Sequence, residues 1–202
     1  MTAPRSMSRK SASTRQVRII GGLWKRTPLS VIDAEGLRPT PDRVRETVFN
    51  WLEHLLQRQW AGRHCLDLFA GTGALGFEAA SRGASQVLMV ESQPAACKAL
   101  QATRDKLDAD QVQIQRADAL SVLNRLSGSY DLIFLDPPYG KQLLPALLPT
   151  CLGLLAPGGL VYAESDRPFA GESVPEWLHG WQIVRTDRAG MVYFALLEAR
   201  RD

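Results

Sequence analysis

The sequence predicts an α/β protein built on a mainly parallel sheet with helices on both faces. Three observations predict it. From His64 onward, short apolar strands alternate with helical segments, and repeated strand–helix units lay successive strands parallel. A glycine cluster, Gly71-Thr-Gly73-Ala-Leu-Gly76, follows the first of these strands and opens a helix, the setting of a nucleotide-binding loop. Towards the end, two β segments are joined by too short a link for a crossover, so they must pair antiparallel.

The elements follow in order. Residues 1–16 lack apolar periodicity and read as a disordered basic tail. Residues 17–61 read as an N-terminal extension. Its short apolar pieces and turn signals (Gly21-Gly22, Pro28, Gly36) suit a small hairpin from Val17, Ile19 and residues 23–27. A helix comes next. Thr40 is its expected N-cap and Pro41 its first residue, with Val44, Val48, Leu52 and Leu55 at helical spacing. Residues 62–202 form the main domain. Strands are expected at 65–69, 86–91, 112–116, 130–136, 160–164, 181–186 and 191–198, the last two joined by a turn at Ala189-Gly190. Helices are expected at 74–82 (closed by Gly83), 94–107, 119–126 and 143–155.

Composition narrows the function class. Hydrophobic residues at 45% and charged residues at 22% are ordinary for a globular domain. The net charge of +3 does not by itself demand a nucleic-acid partner. Its distribution is one-sided: Arg5, Arg9, Lys10, Arg15, Arg18, Lys25 and Arg26 precede Val31 with no acid among them. That segment suits a polyanion or is a solvated tail. Cys65, Cys97 and Cys151 have no metal-ligand spacing, and the three histidines cluster with nothing, so neither a disulfide framework nor a metal is expected. The start lacks the apolar stretch of a secretory signal, although a Ser- and Arg-rich, acid-free start also imitates a transit peptide. Residues 143–163 are apolar but broken by Pro145, Pro149, Pro157 and two glycines, which excludes a membrane span. The expectation is a cytoplasmic protein.

The glycine loop and Glu91, which ends the next strand 20 residues after Gly71, suit a ligand with a ribose, whose hydroxyls a carboxylate accepts. Two acids tilt the choice away from a nicotinamide dinucleotide. Asp67, near the end of the first strand, is awkward beside a pyrophosphate at a helix N-terminus and suits an amino group and a sulfonium. Asp118, just past the third strand, is placed to meet an adenine amine. Both have plainer readings. Asp67 can satisfy loop amides, and Asp118 can cap the following helix.

Asp136-Pro137-Pro138-Tyr139 follows the fourth strand directly, so it opens at the same sheet edge as the glycine loop. An amino group on a base or amide is a poor nucleophile because its lone pair is delocalised. A carboxylate and a backbone carbonyl that each accept one N–H hold it in line for attack. Asp136 supplies the first acceptor and Pro137 the second, while Tyr139 offers a face on which a planar acceptor stacks. The chemistry indicated is methyl transfer from S-adenosylmethionine to an exocyclic nitrogen, with no metal.

The chain resembles a class I (Rossmann-like) methyltransferase of the amino-nitrogen type. Arg18-Ile-Ile-Gly-Gly-Leu-Trp-Lys25 and residues 36–52, Gly-Leu-Arg-Pro-Thr-Pro-Asp-Arg-Val-Arg-Glu-Thr-Val-Phe-Asn-Trp-Leu, resemble the RsmD family of bacterial 16S rRNA (guanine-N2)-methyltransferases. Residues 67–76 and the Asp-Pro-Pro-Tyr turn fit the same pattern, and the resemblance runs from about Arg18 to the end. It implies a seven-stranded sheet with the last strand antiparallel. It also implies guanine N2 in 16S rRNA as acceptor, within an assembling small ribosomal subunit. A monomer is expected. The cofactor set expected from motifs and resemblance is Asp67, Phe69, Gly71, Gly73 and Gly76, then Glu91, Asp118 and Asp136, with Thr40 ahead of the helix. Arg18, Lys25, Arg38, Arg43 and Tyr139 are the expected RNA contacts; Arg38 and Arg43 have two other readings, as partners of the cofactor's methionine carboxylate and as surface groups paired with Asp42 and Glu46. Other acceptors with the same turn chemistry are adenine N6 and a glutamine amide. The rivals from other classes are an NAD-dependent oxidoreductase and a non-catalytic RNA-binding subunit.

Overall fold

The computed structural model describes residues 17–31, 40–169 and 175–200. The expected tail at 1–16 and Arg38 lie outside the described residues. A two-stranded ribbon pairs β1 (Val17–Arg18) with β2 (Pro28–Leu29). The other elements are α1 (Asp42–Leu55), β3 (His64–Asp67), α2 (Ala74–Arg82), β4 (Gln86–Glu91), α3 (Pro94–Lys106), β5 (Val112–Arg116), α4 (Ala119–Leu123), β6 (Tyr130–Leu135), α5 (Leu144–Leu152), β7 (Leu155–Ser165), β8 (Trp181–Ala189) and β9 (Val192–Ala199).

Seven strands form one sheet in the order β5-β4-β3-β6-β7-β9-β8. β3 to β7 run parallel, and β9 lies antiparallel to both β7 and β8. Strand alternation splits the core in two. Cys65, Met89, Leu132, Phe134, Tyr162 and Phe194 pack with α1, α2 and the N-terminal ribbon. Their neighbours Leu66, Val90, Ile133, Leu135, Val161 and Ala195 pack with α4 and α5. The chain runs outward from β3 to β5 and then returns to place β6 on the other side of β3. That reversal opens a crevice at the carboxyl ends of β3 and β6.

Three expectations need correction. Thr40 does not cap α1. Pro41 occupies the cap position without a side-chain bond, and Thr40 reaches instead to Asp136. The helix begins at Asp42, which leaves Thr40 one residue ahead of the cap position and its hydroxyl placed to donate to the Asp136 carboxylate, a charge-assisted bond. Residues 23–26 are turn, not strand. The ribbon closes through Ile19 and Thr27, and Gly22, at φ +73, bends the chain over α2. β7 begins at Leu155, five residues before the expected start. It pairs Leu155 with Tyr130, and the register slips past Pro157-Gly158-Gly159 before Leu160 pairs with Leu132.

The ribbon is pinned to α2 by polar groups. Buried Glu78 accepts the N–H groups of Ile20 and Gly21 at 2.6 and 2.8 Å, and Ser81 Oγ accepts that of Trp24 at 2.9 Å. Arg82 joins Glu78 to Glu53 of α1, with 2.8 and 2.7 Å contacts. Arg45, fully buried, donates to the Arg18 carbonyl and to Asp42. The residues of Arg18-Ile-Ile-Gly-Gly therefore fasten α1 and α2 together beside the crevice.

Candidate active site

The crevice is a cleft of about 280 Å³. Its walls come from the loops after four consecutive strands of the sheet: residues 68–72 after β3, Glu91–Gln93 at β4, Ala117–Ala119 after β5, and Asp136–Tyr139 after β6. The glycine loop and the Asp-Pro-Pro-Tyr turn thus share one cleft, as the sheet edge demands. Thr40 closes it from the N-terminal side.

The glycines divide their labour. Gly71, at φ +52, forms part of the wall, and its N–H donates to Glu91 Oε2 at 2.9 Å. Gly73 and Gly76 do not line the cleft. A Cβ on Gly73 would meet Phe77 and Leu100 at 2.5 and 2.7 Å, and one on Gly76 would meet Met89 at 2.5 Å. Gly76 lets α2 sit close on β4, and Gly73, at φ +78, makes the turn into α2 where α3 packs against it.

Each acid has a distinct setting. Glu91 is buried, and its second oxygen accepts the Gln93 N–H at 2.7 Å. With two amides bound, it keeps lone pairs for hydroxyl donors in the cleft. Asp67 is buried beneath the loop, outside the cleft lining, and accepts the Gly76 N–H at 3.1 Å. Its other oxygen is buried with no hydrogen-bond partner, and burial pushes its pKa up to about 7. Asp118 is exposed at the cleft edge and caps α4 by accepting the Ser121 N–H at 2.9 Å. Its second oxygen accepts no α4 amide, so capping and ligand contact are compatible at this position.

At the Asp-Pro-Pro-Tyr turn, Pro137 is buried and Tyr139 is 41% exposed. Asp136 Oδ2 accepts from Thr40 at 2.7 Å. The sequence reading missed Glu164, at the end of β7. It is buried, and the hydroxyls of Tyr162 and Tyr139 donate to its two oxygens at 2.6 and 3.1 Å. Leu135 and Ala163 pair across β6 and β7, so the residues that follow them, Asp136 and Glu164, are neighbours across the sheet. Burial, then the neighbouring carboxylate, pushes Asp136 well above the ordinary carboxylate range. Burial likewise raises Glu164, against the pull of its tyrosine donors. A lone acid closing an otherwise apolar strand was the available signal, since such a charge needs partners.

The expected RNA contacts divide differently. Arg18, Lys25 and Arg43 are exposed, and Arg18 pairs loosely with Asp42 at 3.9 Å. Asp42 makes its short contact with Arg45, at 2.7 Å. All three cysteines are buried and unpaired, and burial pushes Cys65 and Cys151 to about 12. Among the described residues no group of three or more His, Cys, Asp or Glu could hold a metal ion. Nor is any described helix long and apolar enough to cross a membrane.

The strand order, the lone antiparallel β9 and the cleft at the switch point define a class I, Rossmann-like methyltransferase fold. SMU.776, solved in complex with SAH, shares this fold with a TM-score of 0.59 at 18% identity, over 80% of this chain and 50% of that one. The yhhF protein of Escherichia coli superposes with a TM-score of 0.77 at 36% identity, covering 93% of this chain and 99% of that one. Ribosomal RNA small subunit methyltransferase D of Escherichia coli (strain K12) is 37% identical over 185 residues, 91% of this chain and 90% of that protein. The family model described as Conserved hypothetical protein 95 matches residues 17–198. The chain belongs to this family, the RsmD family.

Proposed function

We propose that this protein transfers a methyl group from S-adenosylmethionine to the exocyclic N2 of a guanine in 16S rRNA, in the cytoplasm, as a monomer acting on an assembling small ribosomal subunit. The observation that carries the reading is the shared cleft: Glu91, the glycine loop and the Asp-Pro-Pro-Tyr turn face one cavity. The donor set fits the cofactor. Glu91, Asp118 and Asp136 line the cleft, with Lys141 as the one cation among the described lining residues. Such a wall favours a ligand bearing an ammonium and a sulfonium and disfavours a dinucleotide's pyrophosphate, which argues against the oxidoreductase reading. S-adenosylmethionine, when bound, supplies an activated methyl group, so the chain needs to bind, orient and exclude water.

The roles follow from placement. Glu91 would accept the ribose hydroxyls and Asp118 an adenine amine. Thr40, Phe69, Gly71 and Asp136 would surround the methionine end, with Asp67, Gly73 and Gly76 holding the loop from beneath. Asp136 and the Pro137 carbonyl would accept the two N–H bonds of the acceptor amine, and Tyr139 would stack on its ring. A guanine must leave its stack to reach this turn. Arg18, Lys25 and Arg43, with Arg38 outside the described residues, would bind RNA phosphates without choosing the base. Ribosomal RNA as substrate is supported by the relatives that carry that activity in their names.

The test is methylation of small ribosomal subunits lacking the modification, with nucleosides identified by mass spectrometry. N2-methylguanosine in the small-subunit RNA, made only with S-adenosylmethionine present, is the expected product. N6-methyladenosine, or methyl transfer to protein alone, would overturn the acceptor assignment.

A further inference from the structure

We propose that Glu164 is a positioning residue of the catalytic turn: it holds Tyr139 by its hydroxyl and shares one proton with Asp136, which aims Asp136 at the acceptor amine. The proposal rests on the methyltransfer reading of the cleft for its functional half.

Glu164 belongs to neither the glycine loop nor the Asp-Pro-Pro-Tyr turn. It reaches the site because β7 lies parallel to β6, with Ala163 opposite Leu135, the residue before Asp136. Its side chain is 2% exposed, so it does not meet a ligand in the main cleft, whose lining excludes it. What it meets is the machinery. Tyr139 donates to one oxygen at 3.1 Å and Tyr162 to the other at 2.6 Å. Tyr162 is itself fully buried and braced edge-on against Phe134, so it cannot swing away. Glu164 is therefore anchored from within the sheet, and Tyr139, on a loop, is anchored to Glu164.

Two carboxylates that neighbour each other across the sheet in a desolvated site repel when both are ionised, so the pair holds one proton between them. The groups facing the pair are Thr40 from ahead of α1, Tyr139 from the turn, Tyr162 from β7 and Asp67 from β3. The two tyrosine hydroxyls favour charge on Glu164, so the shared proton rests on the Asp136 side. Methyl transfer forms the N–C bond as the C–S bond breaks and leaves the acceptor nitrogen with one surplus proton. Asp136 takes that proton while its own passes to Glu164. The pair enters the step with one proton and leaves it with two, and the sulfonium charge is balanced.

The test is carbon-13 NMR titration of the Asp136 carboxyl in the full chain, paired with single-turnover methylation of small subunits. In Glu164→Gln the midpoint of Asp136 should fall by about one pH unit or more, because a neighbouring negative charge is removed. The methylation rate should drop at least ~10-fold, with SAH affinity within about twofold, which also reports that the variant is folded. Tyr162→Phe keeps the ring packing and removes only the donor, so the midpoint of Glu164 should rise. It serves as the reading if Glu164→Gln does not fold. An Asp136 midpoint unmoved by Glu164→Gln, or a Glu164 midpoint unmoved by Tyr162→Phe, would overturn the proton sharing. A rate unchanged in Glu164→Gln would overturn the positioning role. A wild-type protein that methylates no ribosomal RNA, while the midpoints shift as stated, would refute the proposed function and leave the carboxyl pair standing.

Discussion

Glu91→Ala separates a ligand contact from a loop brace at one residue. The carboxylate accepts the N–H groups of Gly71 and Gln93 at 2.9 and 2.7 Å, and it faces the cleft. In the free protein, removal strands the half-buried Gly71 amide, whereas the exposed residue Gln93 turns to water. One stranded buried donor costs about 1–2 kcal/mol. In a domain of this size that lowers the melting temperature by roughly 3–6 °C. With cofactor, two hydroxyl bonds to a charged acceptor are also lost, nominally about 1.5–3 kcal/mol each. Water entering the vacated space returns part of this, so the net loss is about 3 kcal/mol, or roughly 100-fold in affinity. Calorimetric titration with SAH, alongside thermal unfolding of the free protein, measures both. A lowered melting temperature with SAH affinity within about threefold of wild type would refute the ribose role and leave Glu91 as a brace for Gly71.

Asp136→Ala should slow single-turnover methylation at least ~100-fold, the scale of one lost transition-state contact, with SAH binding within about threefold; a smaller rate loss would remove Asp136 from the chemistry. Tyr139→Ala should cost roughly 1–3 kcal/mol of acceptor affinity through lost stacking. Tyr139→Phe keeps the ring and loses the 3.1 Å bond to Glu164, so its rate should fall by less than ~10-fold; equal damage from Phe and Ala would show that the hydroxyl dominates. Gly22→Ala should destabilise the protein by about 2–3 kcal/mol in urea unfolding, because φ is +73 and the new Cβ would lie 1.9 Å from the Ser81 carbonyl oxygen; an unchanged midpoint would contradict the docking of the ribbon on α2. Asp67→Asn should flatten the pH dependence of stability between about pH 4 and pH 7. The folded-state pKa of Asp67 is raised to about 7, so the folded protein binds more protons there than the unfolded chain, and stability falls as pH rises through that window. Denaturant unfolding across it should show the variant gaining on wild type toward pH 8, and parallel curves would refute this.

The sequence alone carried most of the architecture. Strand–helix alternation and the short last link are local patterns, and they sufficed for the parallel sheet, for the antiparallel final pair, and for β4, β5 and α2 to the residue. The glycine loop, Glu91 and the Asp-Pro-Pro-Tyr turn were legible because each follows a strand directly, and every such loop of a parallel sheet opens at one edge. Tertiary structure decided what depends on neighbours distant in the chain. Thr40 reads locally as a cap, and only the approach of β6, 96 residues on, makes it the donor to Asp136. Gly73 and Gly76 read as ligand-facing, and only the packing of Phe77, Leu100 and Met89 shows them to be spacers. Glu164 carries no motif at all. It becomes part of the site because β6 and β7 pair in register, which sets its carboxyl against Asp136 and between two tyrosine hydroxyls. A sequence pattern reports how each segment meets water and its own backbone. The partners of a buried polar atom come from chain packing, and here packing chose them across distances that no local pattern spans.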